Sequence, residues 1–546
     1  MTDDWVKIFG PPGTGKTTTL KNIFAHVTGM YNAENALAKL GLEIPYDIAP
    51  KSEVVFVSFS NTAVDEFLGR IGLRRDYKLG FWSTMHGISM SLLIRAGILK
   101  KEVVSRMLLG GGVVRWQKKF CIENNIPFDE TGELNLLGNQ FFNALTYVIN
   151  KFYPEVQDLN RVIDMLYDFD ERFPYMAERW YRFKSKNGIL DFNDVLMLEF
   201  KYELKPPGTV IIADEFQDFS RLQYEIFMMW AQDKDYAYVV GDDDQAIMQH
   251  NGAEAKYLLE FPGEPVVLKK SWRLPNNLVW LARKYIETYV KNRQPKEFYG
   301  QDKKGFFMVK SGVGINGVVR YAYTLARKGY DVLVLMRTNA EVKKIEEYFI
   351  RYAIPYYRFK RYTFWEEFVE PMVAVVNSIR RGKLPDPNDL RKYLKLMGMS
   401  EAAIDKLLEG LNENNKLYMH VVLKYLNKDP AEILKPGYVS EVVGGVERAR
   451  LIIDILHRAY IGKWERPRGK IFVETIHSSK GREADFVIMV DSITQKIVDE
   501  ISMGGFEDEA RVWYVAMTRA RIGEIVIPGD MPFLTPKVGR WVNYVN

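Results

Sequence analysis

The sequence Gly10-Pro11-Pro12-Gly13-Thr14-Gly15-Lys16-Thr17 matches the pattern G-x-x-x-x-G-K-[ST]. The apolar run Val6–Phe9 precedes it and a helix-like stretch follows, which argues against a chance match in a surface loop. In such a loop, backbone N–H groups close around phosphate oxygens, the lysine reaches the β- and γ-phosphates, and the final hydroxyl can bind Mg²⁺. The residues predicted to bind a nucleoside triphosphate are Gly10, Gly13, Thr14, Gly15, Lys16, Thr17 and Thr18, with Thr17 also on the metal ion.

Composition favours a large cytoplasmic protein of several domains. The chain has 546 residues, of which 47% are hydrophobic and 13% aromatic. Its one cysteine, Cys121, excludes a disulfide framework, and no basic run followed by an apolar run is present near the N-terminus. No apolar stretch approaches the ~20 residues that cross a bilayer, so we expect no membrane association. The net charge of +5 permits a nucleic-acid partner without requiring one.

Short β-rich apolar runs occur in two groups, and each group predicts a parallel α/β sheet with its chemistry at the carboxyl ends of the strands. The first group is Val6–Phe9, Val54–Phe59, Lys78–Ser83, Thr209–Ala213, Tyr236–Val240 and Val266–Leu268. The second group is Phe306–Lys310, Asp331–Leu335, Ile471–Thr475, Phe486–Val490 and Glu524–Pro528. A mainly helical stretch interrupts each group. We therefore expect two α/β cores, each with a helical insert.

Two adjacent carboxylates follow the strand-like run at 209–213. Asp214 is placed to bind Mg²⁺, and Glu215 is placed to polarise the water that attacks a γ-phosphate. An acidic strand end is common, but after a nucleotide-binding loop the catalytic interpretation is the stronger one.

The run Gly241–Gln245, GDDDQ, ends the next predicted strand. Gln245 can contact a γ-phosphate and report its loss, although the three carboxylates before it are equally consistent with a solvated acidic turn. Phosphoryl transfer also needs positive charge on the equatorial oxygens, for which Arg273 and Arg519 are the candidates.

Taken in order, these motifs resemble those of superfamily 1 DNA helicases of the UvrD/Rep/PcrA group. Besides Gly10–Thr17, the ordered set is Val57–Ala63, Ser83–His86, Asp191–Asp194, Asp214–Asp218, Gly241–Gln245, Ser271–Arg273, Arg337–Asn339, Thr475–Glu483 and Tyr514–Ala520. The runs DEFQD and YVAMTRA are specific to this group, and the resemblance extends over nearly the whole chain. It implies two RecA-like P-loop NTPase cores, each interrupted by a mainly helical insert.

The resemblance also implies a domain order and a shared ATP site. Core 1A would occupy 1–86 and 191–272 around insert 1B at 87–190, and core 2A would occupy 273–362 and 464–546 around insert 2B at 363–463. ATP and Mg²⁺ would bind between the cores. Arg519 is similar to the γ-phosphate arginine of the second core, and Arg273 to its partner at the core junction. Trp272 matches the aromatic residue that stacks on adenine, and Glu483 the residue that bonds the ribose.

Single-stranded DNA would cross both cores. The residues that match the DNA contacts of the family are Phe59, Asn61, Thr84, His86, Phe192, Met248, His250 and His477. Aromatic faces stack bases without choosing sequence, and hydroxyls, amides and imidazoles hold phosphates. Phe59 and Phe192 are equally consistent with residues of a hydrophobic core. His86 and His477 are equally consistent with buried histidines that bind no ligand. Met248 and His250 replace two aromatic residues of the family, so we expect weaker or differently shaped stacking there.

The leading hypothesis is an ATP-dependent single-stranded DNA translocase and helicase that acts as a monomer on duplex junctions. Its 3′ to 5′ direction follows from the resemblance alone. One alternative is a DNA-stimulated ATPase that remodels protein–nucleic acid complexes without productive unwinding, which the Met248 and His250 replacements favour. Another is a regulatory P-loop switch that binds a protein partner. Glu215, Gln245 and Arg519 argue against the switch, because a switch needs no complete hydrolysis site.

Overall fold

The computed structural model describes residues 4–74, 81–108, 112–130, 136–153, 155–156, 158–359, 361–412, 420, 423–424 and 426–545. Contacts within the chain divide it into two compact units. The first unit extends to Gly305 and includes Val498–Thr518, and the second comprises Phe306–Ile497 and the residues from Arg519 onward. The first unit thus contains residues 273–305 and 498–518, which the sequence analysis assigned to the second core. The domain bounds 1–86, 87–190, 191–272, 273–362, 363–463 and 464–546 stay a prediction.

The first unit contains a parallel sheet with the strand order β3-β2-β4-β5-β1-β6. Its strands are β1 (Trp5–Phe9), β2 (Val54–Ser58), β3 (Trp82–Thr84), β4 (Val210–Asp214), β5 (Tyr236–Gly241) and β6 (Glu264–Val267). The predicted strands of the first group agree with these to within a residue or two, except that Lys78–Ser83 lies partly on 75–80, outside the described residues. A separate parallel pair is formed by β7 (Lys270–Pro275) and β8 (Tyr299–Gln301).

The two faces of this sheet bury separate cores, because side chains alternate along each strand. Phe9 and Val57 belong to one core, which extends to Trp180 of the helical insert. Ile8 and Phe56 belong to the core on the other face. Burial on both faces explains why the strands read as continuous apolar runs rather than as alternating ones.

The helices of the first unit begin at side-chain caps in several places. Ser60 accepts a hydrogen bond from the Ala63 N–H, and Ser220 forms a capping box with Gln223. The α-helices are Lys16–Val27, Glu34–Ala38, Asn61–Arg70, Met85–Arg95, Lys101–Leu108, Gly112–Glu123, Leu137–Phe152, Leu159–Asp164, Phe173–Asn187, Phe192–Tyr202, Arg221–Ala231, Lys256–Glu260, Asn276–Tyr289 and Phe506–Met517. The 3₁₀ turns are Lys51–Glu53, Met165–Asp168, Phe216–Asp218, Asp243–Gln245 and Gln249–Asn251.

The second unit contains another parallel sheet, with the strand order β11-β10-β12-β13-β9. Its strands are β9 (Phe306–Val309), β10 (Val332–Met336), β11 (Ile471–Thr475), β12 (Ala484–Asp491) and β13 (Ala520–Pro528). Its helices are Gly314–Arg327, Asn339–Arg351, Glu370–Arg380, Pro387–Leu396, Glu401–Asn412, Pro430–Ile433, Pro436–Val443, Val446–Tyr460, Gln495–Glu500, Thr535–Val538 and Val542–Val545. The second unit also has the 3₁₀ turns His477–Ser479 and Gly539–Trp541 and the π-helical turn Trp365–Val369, whereas the π-helical turn Ile501–Gly505 belongs to the first unit. The predicted α/β class and the two parallel sheets are confirmed.

None of the helices in the described ranges combines the length and the apolar character that crossing a lipid bilayer requires.

One carboxyl group in the core of the first unit makes stability depend on pH. Glu199 is fully buried, and its Oε1 accepts a hydrogen bond from Trp230 Nε1 at 2.8 Å. Burial raises the pKa of Glu199 to about 8. The folded chain therefore holds a proton that the unfolded chain releases above its ordinary pKa of 4.5. It follows that the stability contributed by this group falls as pH rises from that value towards about 8.

We expect Glu199→Gln to remove this pH dependence while keeping the bond to Trp230. Relative to the variant, the wild type should lose on the order of 3 kcal/mol of unfolding free energy between about pH 5 and about pH 8. Denaturant unfolding of both proteins across this range measures the difference, with Glu102→Gln at an exposed position as the control. Parallel pH profiles for wild type and Glu199→Gln would show that the group stays ionised in the fold.

Candidate functional site

The loop at residues 10–17 is folded tightly around its own lysine. Gly13 and Gly15 adopt the left-handed φ values of 73° and 88°. A Cβ atom at Gly10 would lie 2.2 Å from Cγ of Lys16. The Lys16 ammonium donates a hydrogen bond to the Gly10 carbonyl at 3.0 Å, so the side chain runs along the inside of the loop. Both glycines that the motif requires, Gly10 and Gly15, and the additional Gly13 therefore have a steric or conformational reason to be glycine.

The beginning of strand β7 holds this loop from one side. Ser271 Oγ donates a hydrogen bond to the Pro12 carbonyl at 2.7 Å, and the Trp272 N–H donates to the Gly13 carbonyl at 2.8 Å. A Cβ atom at Gly13 would lie 2.6 Å from Cβ of Arg273. The structure thus brings two predicted nucleotide-site residues, Trp272 and Arg273, beside the loop. Trp272 is 63% exposed, and the Lys270 ammonium lies 4.0 Å from the centroid of its ring.

Thr518 fixes the direction of the Arg273 side chain. Arg273 Nη1 donates a hydrogen bond to the Thr518 carbonyl oxygen at 3.1 Å. Both residues belong to the first unit, although Thr518 is the last residue of that unit in the chain. The part of the YVAMTRA run that precedes Arg519 therefore lies against the strand that flanks the nucleotide loop.

The end of strand β4 presents the two predicted catalytic carboxylates. Burial and the neighbouring Glu215 raise the pKa of Asp214 to about 7, while Lys16 lowers it. Glu215 adopts the left-handed φ of 52°, which turns the chain sharply after the strand. Gln217 Nε2 donates to Glu215 Oε2 at 2.6 Å, and Gln217 Oε1 accepts from the Asp242 N–H at 2.9 Å. Gln217 therefore ties the end of β4 to the end of β5 and orients the Glu215 carboxylate.

The predicted magnesium ligands are a hydroxyl and a carboxylate, Thr17 and Asp214. Among the described residues, no group of three or more His, Cys, Asp or Glu side chains could hold a metal ion. This donor set fits Mg²⁺, which keeps several waters and is bound through one or two protein oxygens together with substrate phosphates. Thr17 and Asp214 would hold the ion.

The acidic run of GDDDQ is buried, so the alternative of a solvated turn is wrong. Asp242, Asp243 and Asp244 are all fully buried around Lys296, which is itself 2% exposed. The Lys296 ammonium lies 2.9 Å from Asp242 Oδ1 and 2.8 Å from Asp244 Oδ2, and it also contacts Asp243. Arg293 forms a bidentate pair with Asp244, with distances of 2.8 and 2.6 Å. We call these five side chains the buried ion cluster.

The pKa values in the buried ion cluster follow from its contacts. Burial raises the pKa of Asp243 to about 6. Burial acts in the same direction on Asp244, but Lys296 and Arg293 hold the pKa of Asp244 below its usual value. Burial opposes the charge of Lys296, but the three carboxylates raise its pKa above the ordinary range. Asp244 and Lys296 therefore carry opposite charges at neutral pH.

A chain of hydrogen bonds joins this cluster to the catalytic edge. Gln245 is buried, and its Nε2 donates to Asp242 Oδ2 at 2.5 Å. Asp242 in turn donates its N–H to Gln217, which binds Glu215. The two side chains predicted to act on the γ-phosphate and on the attacking water, Gln245 and Glu215, are thus connected through Asp242 and Gln217.

Gln217, Arg293 and Lys296 had no role predicted from the sequence. Gln217 had a signal, because it lies two residues after Glu215 in a short polar turn that follows a buried strand. Lys296 had no local signal, since its partner Asp243 is 53 residues away along the chain. An acidic run that ends a buried strand indicates that a cation must be supplied, but not from where.

Five residues predicted to contact DNA line one cavity of about 740 Å³ in the first unit. They come from the ends of β2 and β3 and from the helix that follows the insert, and they are Phe59, Asn61, Thr84, His86 and Phe192. The insert itself contributes further polar groups, among them Thr146 and Asn150 of the helix Leu137–Phe152. The cavity offers aromatic rings, amides and hydroxyls side by side, groups that can stack on bases and hydrogen-bond to a nucleic-acid backbone.

Asp191 and Asp194 position Phe192 at the start of its helix, and Asp191 also lines the cavity. Asp191 and Asp194 form a capping box at the start of the helix Phe192–Tyr202. The buried Lys184 ammonium lies 2.8 Å from Asp191 Oδ2 and 2.7 Å from Asp194 Oδ2. Phe192 is left 41% exposed, so its interpretation as a core residue is wrong.

His86 lies beside Phe192, with ring centroids 5.5 Å apart in an edge-to-face arrangement. Desolvation disfavours the charged imidazolium and lowers the pKa of His86 to about 4. The imidazole is therefore neutral at physiological pH, and it can donate or accept a hydrogen bond but adds no positive charge to the cavity. Thr84 caps the helix that carries His86, with its hydroxyl accepting from the Gly87 N–H at 3.4 Å.

Met248 and His250 lie at the short turn Gln249–Asn251 and are not among the residues that line this cavity. Met248 is half-buried and His250 is exposed. Asn251, the next residue, lines the cavity, and its carbonyl accepts a hydrogen bond from Asn150 Nδ2 at 3.0 Å. The insert helix therefore supports the turn on which the two replacements of family aromatics sit.

The remaining predicted residues belong to the second unit. His477 begins a 3₁₀ turn directly after β11. Glu483 is exposed, and its Oε1 lies 3.6 Å from Arg521 Nη1. Arg519 is buried, and its carbonyl accepts a hydrogen bond from the Ala484 N–H at 3.1 Å. Their roles at a nucleotide or on DNA stay predictions.

Two family models match this chain. The model of the UvrD/REP helicase N-terminal domain matches residues 2–265, and the model of the UvrD-like helicase C-terminal domain matches residues 445–526. The first match contains the nucleotide loop, the predicted catalytic carboxylates, GDDDQ and the cavity lined by Phe59 and Phe192. The second contains Glu483 and Arg519.

Similar proteins carry helicase names. A probable DNA helicase II homolog of Mycoplasma capricolum is 21% identical, over 95% of this chain and 81% of that protein. The ATP-dependent DNA helicase PcrA of Leuconostoc citreum is 22% identical, over 76% of this chain and 56% of that protein. The ATP-dependent DNA helicase Rep of Buchnera aphidicola subsp. Schizaphis graminum is 20% identical, over 94% of this chain and 89% of that protein. The match thus spans only about half of the PcrA relative and most of the other two.

Proposed function

This chain belongs to the UvrD/Rep/PcrA family of ATP-dependent DNA helicases, and on that premise we propose that it is a single-stranded DNA translocase that moves 3′ to 5′ and opens duplex junctions. The family fold comprises two RecA-like cores, to which the two parallel sheets correspond. ATP use belongs to the family. Mg²⁺ as its partner is our proposal, supported by the Thr17 and Asp214 donor set.

Within the proposed ATPase, Gln217 holds the base Glu215 in place through a hydrogen bond to its carboxylate. When bound, ATP would supply the phosphoryl group, and Mg²⁺ held by Thr17 and Asp214 would neutralise negative charge on the phosphate oxygens. Glu215 is oriented by Gln217 and accepts a proton from the attacking water, and Lys16 stabilises charge on the phosphate oxygens. Because Gln245 is joined to Glu215 through Asp242 and Gln217, a change at the γ-phosphate can alter the position of the base.

The observation that carries the proposal is the cavity lined by Phe59, Asn61, Thr84, His86 and Phe192. These residues lie in separate segments of the chain, yet they meet in one place within the unit that holds the nucleotide loop. Phe192 is exposed and mounted on a rigid capping box, which suits base stacking rather than core packing. A regulatory switch would have no use for this cavity.

The proposal is tested by measuring ATP hydrolysis with and without a single-stranded oligonucleotide, followed by unwinding of forked duplexes with a 3′ or a 5′ tail. We expect hydrolysis to be stimulated by the oligonucleotide and the 3′-tailed fork to be opened. Stimulated hydrolysis without unwinding of either fork would favour the remodelling ATPase. Hydrolysis that is indifferent to DNA would contradict the proposal in both forms.

Phe192→Ala is expected to weaken the response to DNA. Loss of a base–aromatic stack costs about 1–3 kcal/mol, so the oligonucleotide concentration for half-maximal stimulation should rise by roughly tenfold or more. DNA-free hydrolysis should change less than this. Tyr202→Ala is the matched control, because Tyr202 is an exposed aromatic residue at the other end of the same helix. Equal shifts in both variants would contradict the role of Phe192.

We propose single-stranded DNA and duplex junctions as the partners of this chain, a monomer as its working form and the cytoplasm as its location. The free, buried Cys121 suits a reducing compartment. Sedimentation velocity with and without a forked duplex tests the monomer.

A further inference from the structure

A basic cavity of about 360 Å³ lies in the second unit, away from every residue assigned so far. Four cations and one carboxylate line it, together with Tyr323 and Pro467. The charged residues are Arg327, Lys463, Arg466, Arg468 and Glu465. Its volume falls in the range of sites that hold part of a small or extended ligand.

The cavity is at the amino edge of the second sheet. Arg327 ends the helix that leads into β10, and Arg468 lies three residues before β11. The predicted functional residues after these strands, such as His477, are at the opposite, carboxyl edge. Since each strand has five residues, the two edges are about 16 Å apart. The cavity is therefore a separate site and not an extension of the predicted DNA track.

The backbone that carries the cations is held rigidly. The Gly469 N–H donates a hydrogen bond to the Ala326 carbonyl at 2.9 Å, and a Cβ atom at Gly469 would lie 2.0 Å from the Tyr330 carbonyl oxygen. Only glycine allows this approach, which fixes the segment before β11 against the end of the helix Gly314–Arg327. Arg468 and Arg327 are thereby set on adjoining segments of backbone.

The charges of the cavity are mostly unpaired. Over the described ranges of the chain, no carboxylate lies within ion-pair distance of Arg327, Lys463 or Arg468. Arg466 is the exception, since its Nη2 lies 3.2 Å from Glu370 Oε1 and donates to the Tyr357 hydroxyl at 2.6 Å. These like charges repel one another in the free protein, and an anion in the cavity would relieve that repulsion.

We propose that this basic cavity binds phosphate groups of a nucleic-acid backbone, as a second contact apart from the cavity of the first unit. Guanidinium groups match phosphate oxygens in a bidentate geometry, and arginines outnumber lysines in the lining. The ring of Tyr323, next to Arg327, offers a surface for a ribose or a base. The choice of nucleic acid over an acidic peptide rests on the proposed function; the anionic character of the ligand does not.

The experiment compares the wild type with the triple variant Arg327→Gln, Lys463→Gln and Arg468→Gln, all at exposed positions. A second triple variant, Lys344→Gln, Arg351→Gln and Lys406→Gln, removes the same charge from exposed sites elsewhere in the second unit. Binding of a fluorescent single strand and of a blunt duplex is measured over a series of salt concentrations. Loss with one probe only identifies which form of nucleic acid supplies the phosphates.

We expect the cavity variant to bind at least one probe about tenfold more weakly, with the slope of log affinity against log salt smaller by about 2. Unchanged slopes for both probes, or equal losses in the control variant, would overturn the proposal. So would a polyglutamate peptide that binds the wild type and not the cavity variant while nucleic-acid affinity stays the same. Wild-type hydrolysis without DNA stimulation would count against the proposed function instead, because the salt slopes report on the cavity independently.

Discussion

Lys16→Ala should lower the turnover number of ATP hydrolysis by about 10²–10³-fold, the usual cost of removing one preorganised group that stabilises charge in the transition state. The reason is geometric as well as electrostatic. The Lys16 side chain fills the space inside the loop, within 2.2 Å of where a Cβ atom at Gly10 would be, and its ammonium is fixed at 3.0 Å from the Gly10 carbonyl. Alanine removes the charge and also the side-chain atoms that pack against Gly10 inside the loop.

Steady-state hydrolysis with saturating single-stranded DNA measures this effect, and nucleotide binding to the variant is measured separately. Lys21→Ala is the matched control, since Lys21 is a half-buried lysine of the same helix, outside the loop. Glu215→Gln should reduce turnover to a similar extent while nucleotide binding is kept, because it removes the base and leaves the loop intact. Turnover of Lys16→Ala close to that of the control would mean that hydrolysis takes place elsewhere.

Lys296→Met should destabilise the first unit by about 3–5 kcal/mol, because it leaves the carboxylates of the buried ion cluster without their central cation. Lys296 contacts Asp242, Asp243 and Asp244, and all three are fully buried. Methionine has a similar volume, so the loss measures charge rather than packing. Denaturant unfolding at neutral pH gives the difference in free energy, with Lys284→Met at an exposed position as the control.

The pH dependence of this variant has a definite sign. In the wild type the pKa of Lys296 is raised, so its contribution is complete below its ordinary pKa of 10.5 and is lost as pH rises through the raised value. The pKa of Asp244 is lowered, so its contribution is present above its ordinary 3.8 and is lost as pH falls through the lowered value. The cost of Lys296→Met should therefore be largest near neutral pH and shrink in acid, where the carboxylates take up protons.

Two further variants keep this prediction testable if Lys296→Met does not fold. Lys296→Arg retains the charge and should lose less stability. Asp243→Asn combined with Lys296→Met removes one of the uncompensated carboxylates and should recover part of the loss. A cost below about 1 kcal/mol for Lys296→Met, which is typical of exposed ion pairs, would show that water reaches the cluster.

Features encoded by residues close together in the chain were predictable. The spacing of glycines and lysine in Gly10–Thr17 reflects a loop closed by its own neighbours, and the apolar runs reflect strands buried on both faces. The order of the motifs was sufficient for the family, which the domain models at residues 2–265 and 445–526 then showed. These patterns are local, so no knowledge of distant contacts was needed.

For the residues predicted to contact DNA, the sequence did not determine solvent exposure or protonation state. Phe192 was consistent with either a core or a binding residue, and its 41% exposure follows from the capping box and from Lys184, which hold the motif carboxylates inward. His86 lines the same cavity as the other predicted DNA-contact residues of the first unit, and its neutral state follows from how it is enclosed there. Exposure and protonation depend on packing, which residue type does not specify.

Local sequence patterns were therefore sufficient to predict the glycine-rich loop, the strands, the candidate catalytic carboxylates and the family. Folding was required to bring Lys296 to three carboxylates about fifty residues away, to connect Gln245 with Glu215 through Gln217, and to gather the unpaired cations of the basic cavity at one sheet edge. The physical reason is that charges and hydrogen bonds act over a few ångströms in space, whatever their separation along the chain. Ion-pair and hydrogen-bond partners that are far apart in the chain form no periodic or local sequence pattern, so they could not be predicted from the sequence.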